Sequence, residues 1–142
     1  MTDYKQTVEK LLAEFLLHPD LNSSAYGEQE AYSVSKGGVE YPRVYLSLIG
    51  ADDYTVTLKL TVTATVVADL SNRLEVQSRT LNIIRELSQQ LKNLSILKFD
   101  EILEYEPTRL YQEDQSEGWF TEFSVAIEAV DACAKFNPPT NP

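Results

Sequence analysis

From Tyr54 to Val67 the chain reads YTVTLKLTVTATVV, and every even position from 54 to 66 is apolar. The odd positions between them are Thr55, Thr57, Lys59, Thr61, Thr63 and Thr65. Successive side chains on a strand point to opposite faces, so this alternation predicts a strand with one dry face and one wet face. At about 3.3 Å per residue it would span roughly 45 Å, well beyond the usual five or six residues. A helix would scatter these apolar residues around its axis, and the β-branched content also disfavours helix.

A strand this long needs partners, and the preceding residues supply one. Arg43 to Ile49 alternates, with Val44, Leu46 and Leu48 on one face, and Pro42 lies just before it, where a missing N–H does least harm. Gly50-Ala51-Asp52-Asp53 predicts a turn, so the two strands form an antiparallel hairpin. The first strand is the shorter, so the long strand is expected to overhang it.

Helices flank this hairpin. Asp3 to Leu17 predicts a helix, with Asp3 and Gln6 spaced as a capping box and Tyr4, Val8, Leu11, Leu12, Phe15 and Leu16 near one face. His18-Pro19 ends it, because the residue before proline is driven out of the helical region. Asp20 to Glu40, with its Gly37-Gly38 pair, predicts a long loop that orders against a partner, with room for a short irregular strand near 31–34. Asp69 or Ser71 caps a second helix over Leu70 to Lys92, carried by Leu70, Leu74, Gln77, Leu81, Ile84, Leu87 and Leu91. Glu75 and Arg79 are spaced for an i,i+4 ion pair, and Asn93 suits the terminator position.

Ser95 to Tyr105 predicts a third strand, Glu106 to Gly118 an acidic connection, and Trp119 to Val130 a fourth strand. In the last, Trp119, Phe123, Val125, Ile127 and Ala129 face inward. Residues 1–136 thus form one α+β domain of order α-β-β-α-β-β, a mostly antiparallel four-stranded sheet packed against a long helix. Residues 137–142, NPPTNP, form a flexible tail. A chain of 142 residues buries about two-thirds of its unfolded surface as a single domain.

Charge and motifs narrow the function classes. The formal net charge is −10, and between Asp100 and Asp131 ten acidic residues accompany one basic residue, Arg109. That distribution opposes wrapping nucleic acid, which calls for a concentrated Lys/Arg face; a solvated surface that aids solubility accounts for it on its own. No apolar run reaches the roughly 20 residues of a membrane span, and MTDYKQTVEK does not read as a signal peptide, so the chain is expected to be soluble and intracellular. Cys133 is the only cysteine, which excludes an internal disulfide or a cysteine cluster for zinc.

Catalytic patterns are wanting. His18, the only histidine, fits a partly exposed helix end offsetting the dipole better than a triad member. Phosphate-loop spacing is absent around Gly37-Gly38, and Glu113-Asp114-Gln115-Ser116-Glu117 lacks calcium-loop spacing. Asp100 and Glu101 are adjacent on a predicted strand and so point to opposite faces. The expectation is a non-enzyme with no cofactor and no bound metal. Trp119, Tyr111 and Tyr105 suit interface anchors, with core packing the simpler role for Trp119.

The element order resembles the tail terminator or tail completion proteins of long-tailed bacteriophages, within the wider group of head–tail joining proteins. The resemblance runs from about residue 4 to 131. Its pieces are the amphipathic first helix, Tyr41-Pro42-Arg43-Val44 leading into the first strand, the Thr-alternating strand, and the Leu70–Leu91 helix before a hairpin ending in Gly118-Trp119-Phe120. In that family six copies form a ring that caps the tail tube, stops its growth and meets the head connector. The resemblance therefore implies a virion structural protein assembled in the host cytoplasm. Its partners would be itself, as a hexameric ring, the tail tube protein and the head–tail connector, with no membrane. DNA would pass only as cargo through an acidic channel. The candidate subunit or partner interface is Thr61, Thr63, Thr65, Tyr111, Glu113, Asp114 and Glu117, with the 20–40 and 106–118 loops meeting tube or connector.

A small α+β ligand-binding or regulatory module, with its ligand between helix and sheet, is the alternative. The physical support for a ring is the overhang: the part of Tyr54–Val67 beyond the hairpin is expected to pair with the last strand or with a neighbouring subunit. Full pairing inside one chain would leave the ring resting on resemblance.

Overall fold

The computed structural model describes residues 3–27, 41–66, 71–93, 108–111 and 116–126, the segment 108–111 by its backbone alone. The elements in chain order are α1 (Tyr4–Phe15), β1 (Ser23–Tyr26), β2 (Arg43–Ala51), β3 (Thr55–Thr65), α2 (Arg73–Asn93), β4 (Thr108–Tyr111) and β5 (Ser116–Ala126). They form one five-stranded sheet of order β1-β2-β3-β5-β4. The class is α+β and the sheet is mostly antiparallel, β1–β2 being its one parallel pair.

The alternation in the long strand dictates the core. Val56, Leu58, Leu60, Val62 and Ala64 all lie on the helix-facing side and are buried. Each of the valines and leucines contributes on the order of 1.5–3 kcal/mol when removed from water. Val44 and Leu46 extend this surface on β2, and Phe123 and Val125 extend it on β5. Helix α1 covers the β1–β2 side and α2 the β3–β5 side. From α1 come Val8, Leu11 and Phe15, and from α2 Ile83, Ile84, Leu87 and Leu91.

Helix α1 begins as expected: the Asp3 side chain accepts from the Gln6 backbone N–H, and the Gln6 side chain accepts from the Asp3 N–H. Its end comes at Phe15 rather than Leu17. The Tyr4 and Tyr26 hydroxyls, 2.7 Å apart, tie its first turn to β1.

The long strand runs past its hairpin partner at Ala64 and Thr65 and pairs there with the last strand, one of the two partners expected. On one side β3 pairs with β2 from Val56 to Thr63, and on the other it pairs with β5 at every residue from Thr55 to Thr65. The last strand, not a neighbouring subunit, supplies the second partner. Several expectations are corrected. The second face is not uniformly wet, because Thr63 is fully buried and Thr61 nearly so, beside buried Tyr45 and Ser47 of β2. Tyr54 lies before the strand and is 66% exposed, so it does not join the dry face.

The sheet has five strands where four are expected. Ser23–Tyr26, inside the presumed 20–40 loop, runs parallel to β2, and Thr108–Tyr111 forms β4 inside the presumed 106–118 connection. β5 starts at Ser116 rather than Trp119. Helix α2 begins at Arg73, directly after Asn72, so Ser71 is not its cap. Its buried stripe runs through Val76, Thr80, Ile83, Ile84, Leu87 and Leu91, and Leu74 is turned to solvent. Glu75–Arg79 is not among the ion pairs between described residues. The strands expected at 31–34 and 95–105, Asp69, Cys133 and the 137–142 tail lie outside the described residues.

Candidate functional site

Four of the seven residues expected at an interface are brought to one end of the sheet. Register places Thr63 opposite Gly118, Ala64 opposite Glu117 and Thr65 opposite Ser116, while Tyr111 pairs with Glu117 from the other side. Thr61 sits nearer the middle of β3, opposite Phe120. Glu113 and Asp114 lie outside the described residues. Of those whose side chains are described, Thr65 alone is exposed.

Glu117 is the surprise of the group. It projects from β5 toward the start of α2 and is fully buried. Gln77 donates its side-chain N–H to Glu117 Oε1 at 2.6 Å, and Arg73 Nε lies 3.3 Å from Oε2. The Trp119 indole N–H donates to the Gln77 carbonyl at 3.0 Å. A buried carboxylate needs such compensation, and here it joins the first two turns of α2 to β5. Nothing in the acidic run at 113–117 singled this residue out, since its partners lie on a helix far away in sequence.

Close backbone approach fixes the neighbouring register. A Cβ on Gly118 would fall 1.8 Å from the Val62 carbonyl oxygen, so only glycine allows β5 to lie as near β3 as it does. Beside this junction a cleft of about 100 Å3 opens between Tyr41-Pro42 and the α2 residues Glu75, Val76 and Arg79.

His18 stands apart from this region and is buried rather than partly exposed. Its Nδ1 accepts from the Asp20 backbone N–H at 3.1 Å, so the ring proton is on Nε2, which donates to Glu86 of α2. Gln90 adds a second link between the helices, donating to the Glu14 carbonyl at 2.9 Å. Both imidazole nitrogens hold the chain in place.

The other end of the sheet carries exposed apolar surface. At the β2–β3 hairpin Leu48 is 49% exposed and Ile49 48%, next to Tyr54. A register shift between Leu48 and Gly50 places Ile49 in a bulge. At the tip Asp52 Oδ1 accepts from the backbone N–H groups of Tyr54 and Thr55 at 2.9 and 2.8 Å. The Tyr54 N–H first and the Thr55 N–H second hold the Asp52 carboxyl below the usual aspartate range. A separate open groove of about 450 Å3 runs along the outer side of α2, lined by Arg85, Glu86, Ser88, Gln89 and Lys92.

Among the described residues no three His, Cys, Asp or Glu side chains gather as a metal site, and no helix is long and apolar enough to cross a membrane. No family model matches the chain, and no curated protein matches it.

Proposed function

We propose that this chain is a structural subunit of a phage or phage-like tail, forming the terminator ring that ends tube growth and joins tail to head. The reading rests on the resemblance in element order and on one structural observation, the hydrogen-bonded β2–β3 hairpin on which Leu48, Ile49 and Tyr54 are exposed. Large apolar side chains exposed along one hairpin are surface that association can cover. The overhang argument no longer contributes, because β3 finds its partners within one chain. The conduit argument is narrower too. Of the acidic residues between Asp100 and Asp131, Glu117 is buried and Glu122 is exposed.

Between helix and sheet, the described residues offer a small-ligand module little room. The cleft between helix and sheet, at about 100 Å3, lies below the roughly 300–1,000 Å3 typical of ligand pockets. Native mass spectrometry and electron microscopy of the purified protein, alone and mixed with a tail tube protein, test the assignment. A closed ring that docks on tube ends is expected. A protein that stays monomeric in both settings would sink the proposal.

A further inference from the structure

The hairpin tip has a complement on the same molecule. Tyr54 is exposed in a turn with two exposed aspartates, Asp52 and Asp53, and Leu48 and Ile49 are exposed further back along β2. The groove on α2 has the opposite character. Arg85 and Lys92 are exposed on its walls, and neither makes an ion pair with another described residue. Its remaining cation-free positions are Glu86, already engaged by His18, Ser88, whose hydroxyl donates to the Ile84 carbonyl, and Gln89. At about 450 Å3 the groove has room for a large side chain, and the aliphatic stems of Arg85 and Lys92 offer apolar walls under charged heads.

We propose that the β2–β3 tip of one copy seats in the Arg85–Lys92 groove of a second copy, in a head-to-tail contact. Tyr54 enters the groove, where its ring face meets a cation, and Asp53 pairs with Lys92 or Arg85 at the rim. Asp52 keeps its role within the turn. A tip-to-tip contact is disfavoured, because it would bring the aspartates of two copies together. A contact between two different surfaces repeats from copy to copy and closes into a ring when the rotation allows. The inference therefore deepens the ring proposal and rests on it.

Complementation between two variants tests the contact. Tyr54→Asp disables the tip and leaves the groove; Lys92→Glu combined with Arg85→Glu disables the groove and leaves the tip. All of these residues are exposed, and far-ultraviolet circular dichroism checks that both variants fold. In analytical ultracentrifugation, wild type is expected to self-associate, and each variant alone to lose tenfold or more in association constant. An equimolar mixture should form a one-to-one heterodimer that grows no further, since each pair retains a single working tip and groove. A monomeric wild type, variants that assemble like wild type, or a mixture that stays monomeric would each overturn the contact. The ring reading can fail separately: tip-to-groove heterodimers with open chains in wild type would remove the ring and keep the contact. Rings persisting in both variants would do the reverse.

Discussion

Arg73 at the start of α2 places its guanidinium Nε 3.3 Å from the Glu117 carboxylate, a group with no exposure to solvent. The contact is coulombic rather than a well-directed hydrogen bond, while Gln77 provides the directed bond to the other oxygen. Arg73 itself is one-third exposed, so the two partners are unequal. Losing the arginine removes the cation beside a carboxylate in a dry site that still accepts from Gln77. Losing the carboxylate leaves a cation that water can reach.

That inequality predicts an order of effects. Arg73→Ala should destabilise by about 1–3 kcal/mol, because it removes the cation beside a buried carboxylate that keeps its bond from Gln77, and the arginine is partly exposed. Glu117→Gln retains an acceptor for Gln77 and should cost less. Urea denaturation of both variants measures this, and a larger loss for Glu117→Gln would show that the carboxylate is not held as described.

Gly118 is expected to be intolerant of any side chain. Gly118→Ala puts a methyl group against backbone, which cannot swing aside, so β3 and β5 must separate at a cost of about 1–3 kcal/mol or more. Gly50→Ala is the control, because the same methyl there meets open space. It should stay within about 1 kcal/mol of wild type, on the stabilising side. Thermal unfolding compares the two, and equal losses would contradict the close approach at Gly118.

The Asp52 turn should respond to acid. Its carboxyl is held below the ordinary aspartate range when folded, so folding favours the ionised form. The resulting stability is fully present above the unfolded value and is lost as pH falls through the depressed folded value, below about pH 4. Asp52→Ala removes the acceptor. The stability gap between wild type and Asp52→Ala, followed by denaturant titration, should be constant near neutrality and close as the pH drops. A gap that widens on acidification would have the sign wrong.

The neutral His18 ring should be the Nε2–H tautomer, because Nδ1 accepts from the Asp20 N–H. Nitrogen-15 NMR of the imidazole reads this directly. His18→Ala removes both bonds and should cost about 1–2 kcal/mol. A ring protonated on Nδ1 would mean that the turn after α1 is built differently.

Much of this fold can be read in the residues, and the exceptions have physical causes. The even-position alternation locates β3 to within two residues at either end, because one face must be dry. The capping box marks the start of α1 for an equally local reason. SSAY at β1 carries no such signal: three of its residues are half-buried and one is exposed, so parallel pairing with β2 rather than burial makes it a strand. Thr61 and Thr63 read as solvent-facing because alternation tells faces apart without telling which is covered. The Glu117 cluster joins residues from α2 and β5, and no local pattern announces a contact of that range.

The long strand at the centre also sets an order of events during synthesis. β2 and β3 are joined by a tight turn and can zip as soon as both have left the ribosome, whereas Thr61 meets Phe120 only after α2 and the strands beyond it have been made. Until then the nascent chain presents β3 with one row of backbone donors and acceptors unanswered, the kind of edge that invites pairing with another chain. Completion of the sheet is therefore a late, non-local and slow step. Truncation anywhere before β5 should yield a product that aggregates rather than a smaller folded unit.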